Sequence, residues 1–224
     1  MRHELKYILT PVQYRVLKDR LKWFLKPDPH AGENGEYAIR SIYFDTDSLD
    51  AVWEKINGVD KRKKYRIRFY NGNADRCTLE CKEKHGTRIH KISEPLTREE
   101  ALALMQRESI LPKRELSGQM ALWVQKSQLH PVVTVDYVRE AYIYPVSNVR
   151  VTFDKRLSAG RVEDAFSAPL GFPNVLGEQV ILEVKYDEVL PLHISRLIAD
   201  VQPVNMSVSK YVMCVEKRLA EKGF

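Results

Sequence analysis

Cysteine is scarce. The 224-residue chain has three, Cys77, Cys81 and Cys214, in no CxxC pair and without clustered histidines. That spacing excludes a disulfide scaffold, a structural zinc site and a redox pair, and it predicts buried, reduced thiols. No stretch approaches the ~18 unbroken apolar residues of a membrane-spanning helix, and the opening MRHELKY lacks the apolar core of a secretory signal, so the protein is expected in the cytoplasm. There is no GxxxxGK[ST] loop, no GxGxxG, no GxSxG elbow and no HExxH, and the six histidines are scattered. A phosphate site would therefore rest on side chains rather than on a glycine-rich loop. No repeat, low-complexity tract or linker divides the chain, which reads as one α+β domain over residues 1–224. With 44% hydrophobic and 29% charged residues and ordinary glycine and proline content, it describes a globular protein rather than a disordered or collagenous one.

Charge is unevenly placed. The formal net charge is +6. Residues 61–91 carry 11 Lys or Arg against 3 Asp or Glu, a local +8, which leaves the rest of the chain at −2. Runs of like charge usually mark solvated tails, but this one is interleaved with Tyr65, Ile67, Phe69, Leu79, Cys81 and Ile89. It predicts folded β-structure.

Local signals supply the elements. A strand over Glu4 to Leu9 precedes a helix capped by Thr10 with Pro11 at its first position, carrying Tyr14, Leu17, Leu21, Phe24 and Leu25 on one face and ended by Pro27 and Pro29. Tyr37 to Asp45 is β-rich, and Asp47 or Ser48 can cap a short helix reaching Asn57-Gly58. Strands follow near 61–71, 76–84 and 87–94, turned by Asn71-Gly72-Asn73 and His85-Gly86. Thr97 with Glu100 forms a capping box for a helix to about Glu108, and a further helix is expected over 115–128. Strands return at 131–144, 147–154 and 179–187 around a loop from Ser158 to Gly177. Helices near 191–201 and 207–221 close the chain. About eight mostly antiparallel strands result.

Strand side chains alternate between faces. Lys64, Arg66 and Arg68 thus share one face, opposite Tyr65, Ile67 and Phe69. Glu80, Lys82 and Lys84 oppose Leu79 and Cys81, and Glu183 and Lys185 oppose Leu182 and Val184. Arg139 shares parity with Tyr137, and Arg150 with Thr152 and Asp154. A solvated outer sheet face explains such a pattern equally well. The alternative is a sheet that closes, since about eight strands enclose a lumen for side chains or one small ligand, with the amphipathic helices covering its apolar exterior. A lumen lined chiefly by cations is repulsive unless an anion fills it. Phosphate chains suit arginine forks and lysine point charges, and carboxylates facing phosphate make sense as ligands for Mg²⁺ or Mn²⁺. Nucleic acid is disfavoured, because base-stacking aromatics would have to stand beside the basic groups, whereas Tyr65 and Phe69 lie opposite them.

The ordered series RHELKY, SIYFD, KYRIRFY, LECKEK, DYVREAY, VRVTFD, LEVKYD and SKY, spread over essentially the whole chain, resembles the VTC domain. This is the polyphosphate polymerase domain of the vacuolar transporter chaperone complex, a branch of the triphosphate tunnel metalloenzymes related to CYTH proteins. The resemblance implies an eight-stranded antiparallel β-barrel tunnel with helices outside. In it a divalent metal, Mn²⁺ or Mg²⁺, supports transfer of the γ-phosphate of ATP to a growing polyphosphate chain. By motif, Lys6, Arg66, Arg68, Lys82, Lys91, Arg139 and Arg150 match phosphate-holding positions. Glu183 matches the metal position, and Tyr137, Ser209 and Lys210 match further substrate contacts. Lys64, Lys84 and Lys185 share the inward parity, and Glu80 and Glu4 are candidate metal ligands. Hydrolytic relatives begin ExExK, whereas this chain reads Arg2-x-Glu4-x-Lys6, which weakens a hydrolase reading. A triphosphate or nucleoside triphosphate hydrolase and a non-catalytic polyphosphate- or inositol-phosphate-binding module are the alternatives. The SPX region and membrane helices of the eukaryotic complexes are absent from the sequence, so regulation and export would require other proteins, such as a separate membrane protein.

Overall fold

A computed structural model describes residues 2–32, 34–86, 88–108, 115–126, 128–167, 169, 171–205, 208–221 and 223. In chain order the elements are β1 (Arg2–Leu9), α1 (Pro11–Leu21), β2 (Lys26–Pro27), β3 (Glu36–Asp45), α2 (Asp50–Ile56), β4 (Lys61–Tyr70), β5 (Asn73–His85) and β6 (Arg88–Leu96). They continue with α3 (Arg98–Met105), α4 (Glu115–Gln125), β7 (His130–Tyr144), β8 (Val149–Gly160), β9 (Val180–Asp187), α5 (Leu192–Asp200), β10 (Val204–Asn205) and α6 (Lys210–Glu221). Eight strands are long and two are two-residue pairings. The class is α+β, mostly antiparallel, with six α-helices among the described residues. Among these residues no helix is long and apolar enough to cross a membrane, and the three cysteines are free and buried.

The chain forms two compact units, with boundaries within β3, β7 and β8, between residues 173 and 174, and at the start of α6. The first comprises residues 1–38, 137–158 and 174–209. Its strands run β10-β1-β9-β8-β7, with β2 on β7. Helix α1 begins as expected: the Thr10 hydroxyl accepts from the Gln13 amide at 3.3 Å and the Gln13 side chain accepts from the Thr10 amide at 2.7 Å. It stops at Leu21, well before the prolines expected to end it. Leu17 and Leu21 of α1 enter a core with Val151, Phe153, Leu182, Val184 and Ile194, all 0% exposed, while Phe24 is left outside.

The second unit comprises residues 39–136, 159–173 and 210–224. Its strands β3-β4-β5-β6 are sequential and antiparallel, as short hairpin turns dictate. Tyr70 pairs with Asn73 across Asn71 and Gly72, which have φ of 51° and 71°, the two left-handed residues that a two-residue hairpin turn needs. Tyr65, Ile67, Phe69, Leu79 and Cys81 are buried against Leu104 of α3 and Leu116, Met120 and Val124 of α4. The Thr97–Glu100 capping box forms at the start of α3. Two expectations change. Helix α2 is not capped by Asp47 or Ser48; Asp45 Oδ1 accepts from the Ala51 amide at 3.0 Å instead. Strand β8 runs on to Gly160, six residues further than expected. The expected helix start at 207 lies outside the described residues; α6 runs from Lys210. Among the described residues no pairing closes the strands of either unit into a ring.

Candidate functional site

In the first unit the register lays charge out in a checkerboard. Lys6 on β1 faces Glu183 on β9, which faces Thr152 on β8; Glu4 faces Lys185, which faces Arg150. The intervening residues Leu182, Val184 and Val151 fill the core, so the charged parity lies on the other face of the sheet. Lys6 Nζ sits 3.2 Å from Glu4 and 3.5 Å from Glu183, and Lys185 Nζ lies 3.3 Å from Glu183 and 3.9 Å from Glu4. Lys6 also reaches the carbonyl of Val208 at 3.5 Å, next to Ser209. Arg139 forms a two-point pair with Asp154 at 2.6 and 2.7 Å, and its Nη2 lies 3.8 Å from Glu183. Burial works against the Arg139 charge, but Asp154, Tyr137 and Glu183 outweigh it and raise its pKa further. The guanidinium stands over the Tyr137 ring at 5.3 Å. Arg150 instead turns to Asp28 at 2.6 Å and the Tyr37 hydroxyl at 3.0 Å.

The second unit carries an imbalance. Lys64, Lys82 and Lys91 stand side by side on β4, β5 and β6. The next row is Tyr43, Arg66, Glu80 and Ser93, and the one after it contains Ser41, Arg68 and Thr78. Lys84 extends the face beside Arg62. Four cations of the first two rows and Arg68 thus surround one carboxylate. Glu80 is 3% exposed, accepts from Arg66 Nε at 2.6 Å through one oxygen, and is paired with Lys91 through the other. Burial alone would raise its pKa, but Arg66, Arg68 and Lys91 hold it down at about 2. Arg68, also buried, donates to the Ser41 hydroxyl at 3.0 Å. Lys210 opens α6, and its neighbour Tyr211 stacks on Tyr43.

A sheet face dominated by cations is present in the second unit. In the first, Glu4, Glu183, Asp154 and Asp28 interleave with the bases. Tyr43 and Asp45 have inward positions as well as core-packing and turn-capping readings in SIYFD, and the structure gives Asp45 the capping role; Asp28 and Tyr211 carry no such signal as partners, although Tyr211 closes the SKY motif. Glu80 pairs with Arg66 and Lys91, as Glu183 does with Lys6, Lys185 and Arg139.

The chain belongs to the VTC domain family, whose profile matches residues 1–218. No curated protein is matched. Among solved structures, a Bacillus halodurans protein described provisionally as an adenylate cyclase is similar at 16% identity with a TM-score of 0.56, covering 92% of each chain. A Pyrococcus horikoshii protein is similar at 13% identity and TM-score 0.52, covering 97% of this chain and 99% of its own. A Vibrio parahaemolyticus protein, also described provisionally as an adenylate cyclase, is similar at 10% identity and TM-score 0.51, covering 95% and 96%. These likenesses show a shared fold.

The family implies a divalent metal. Among the described residues no group of three or more His, Cys, Asp or Glu is placed to hold one. Glu4 and Glu183, however, flank the same two ammonium groups, and the Thr152 hydroxyl opposite Glu183 is buried without a hydrogen-bond partner. Magnesium-type ions are commonly held by one or two carboxylates, with phosphate and water completing the shell. The donor set fits an ion that arrives with its phosphates.

Proposed function

We propose that the protein is a metal-dependent polyphosphate polymerase, which moves the γ-phosphoryl group of ATP onto a polyphosphate chain held in the basic tunnel that the VTC fold implies. The observation that carries this reading is the cross-strand row Lys64, Lys82, Lys91 flanked by Arg66 and Arg68. Like charges directly opposite each other on a sheet destabilise it, so such a face is tolerated where a polyanion neutralises it. Family membership supports phosphate as that polyanion.

In this mechanism Lys64, Lys82, Lys84 and Lys91 neutralise successive phosphates as point charges, and Arg66 and Arg68 orient them with forked donors. Lys6, Arg139, Arg150, Lys185 and Lys210 serve the same purpose, with Tyr137 and Ser209 as polar contacts. Glu183, assisted by Glu4, would hold the ion, which when bound supplies charge neutralisation at the reacting phosphates. A terminal oxygen of the polyphosphate chain bonds to the γ-phosphorus as the bond from that phosphorus to the β–γ bridging oxygen breaks, and ADP leaves with the electron pair. Phosphoryl transfer of this kind is mainly positioning and electrostatics around a loose transition state, so the side chains present suffice without a protein nucleophile.

Purified protein given ATP, Mn²⁺ or Mg²⁺ and a short polyphosphate primer is expected to make long polymer and ADP in equal equivalents of transferred phosphate. Arg66→Ala and Glu183→Ala should each abolish it. Release of inorganic phosphate without polymer would select the hydrolase instead, cyclic AMP with pyrophosphate a cyclase, and tight binding without turnover a binding module.

A further inference from the structure

We propose that Tyr43 and Tyr211 act as a positioning pair, which fixes the orientation of Arg66 before a phosphate chain binds. This rests on the reading of Arg66 as a phosphate-binding residue.

The geometry forms one continuous chain of contacts inside the second unit. Asp45 is anchored first: its Oδ1 accepts from the amides of Thr46 and Ala51 at 2.9 and 3.0 Å. Its other oxygen accepts from the Tyr211 hydroxyl at 2.5 Å. Tyr211 lies in the first turn of α6 and stacks on Tyr43, with ring centroids 4.7 Å apart and planes inclined by 21°. The Tyr43 hydroxyl accepts from Arg66 Nη1 at 2.9 Å, while Arg66 Nε is bound by Glu80. The guanidinium is therefore gripped from both ends, and its plane is set. Lys64 Nζ lies 5.3 Å from the Tyr211 ring centroid, within cation–π range. Both rings are buried.

The electrostatics agree. Burial would raise the Tyr43 phenol, yet Arg66, Arg68 and Lys210 together bring it below its ordinary value. Tyr211 is raised by burial and by Asp45 and remains a donor. Phenol oxygen as acceptor and phenol hydroxyl as donor thus have fixed, opposite tasks. Neither ring contributes charge to a phosphate. What they supply is preorganisation, by removing the rotamer freedom that a long arginine otherwise loses on binding.

The test is calorimetric titration of the full chain with sodium tripolyphosphate without metal, beside the polymer assay. Tyr43→Phe and Tyr211→Phe should each weaken binding by roughly 5–10-fold, the scale of one lost charge-assisted or buried hydrogen bond. In an Arg66→Ala background the same changes should cost less than about twofold, because their route to the ligand is gone. Equal losses in both backgrounds, or no loss in either, overturn the inference. Asp45→Asn keeps both rings and should give a smaller loss with the same dependence on Arg66, which covers a Tyr43→Phe protein that does not fold. A wild type that binds tripolyphosphate with this pattern but makes no polymer overturns the polymerase reading alone. A wild type that binds no tripolyphosphate overturns both.

Discussion

Arg139 and Asp154 show what a single buried pair commits the molecule to. Asp154 is 0% exposed, and its carboxylate holds both ends of the guanidinium fork. Asp154→Ala would strand a buried cation, and losses of about 3–5 kcal/mol are usual for such a break; urea unfolding should show it. Glu80 gives a pH signature. Its folded pKa of about 2 lies below the ordinary carboxylate value near 4.5, so its contribution to stability is complete above about pH 4.5 and drains away as the pH falls towards 2. The Glu140 carboxylate behaves alike. Burial opposes its charge, but Lys18 and the hydroxyls of Tyr14 and Tyr142 hold it at about 2. Acid titration of unfolding should therefore be flatter over that window in Glu80→Gln than in the wild type, and Lys91 and Arg66 would be released from their fixed positions at the same time.

At the scale of elements, the rows of cations depend on the strands beyond the turn. The Asn71-Gly72 turn pairs Tyr70 with Asn73, but the register shifts between Arg68 and Tyr70, and only beyond that shift does Lys64 stand beside Lys82. Gly72→Ala, at φ 71°, should cost about 1–2 kcal/mol in urea unfolding and leave tripolyphosphate affinity unchanged by titration. Helix starts divide into two kinds. Thr10 and Thr97 cap α1 and α3 from the residue next door, and Thr97→Ala should cost about 1 kcal/mol by thermal melting. Helix α4 is capped from afar: Glu94 on β6 accepts from the amides of Leu116 and Ser117 at 2.8 and 2.9 Å. Asp45 does the same for α2 while holding Tyr211.

At the scale of the whole molecule, the excess of positive charge on the second unit's sheet face would couple binding of a polyanion to stability. Tripolyphosphate at about 100 times its Kd should raise unfolding free energy by ~2.7 kcal/mol, visible as a higher Tm. The rise should shrink as salt is increased to several hundred millimolar, because screening shortens the reach of each lysine. A Lys82→Ala protein should melt at a higher temperature than wild type without ligand and gain less from it, since a repulsive neighbour has been removed from the row.

The amino-acid sequence by itself determined the eight long strands, the cap at Thr10, the capping box at Thr97, the Asn71-Gly72 hairpin turn and the division of β4, β5 and β9 into an apolar and a charged parity. All of these follow from spacing along a few residues, where periodicity and local hydrogen bonds act. Tertiary structure alone decided which carboxylate meets which base. Arg150 chooses Asp28 across 122 residues, Tyr211 chooses Asp45 across 166, and Glu183 comes to share Lys6 and Lys185 with Glu4. Parity says which face a side chain occupies; partners separated by more than a hundred residues are chosen by strand order and register, which are settled only when the apolar faces are buried together.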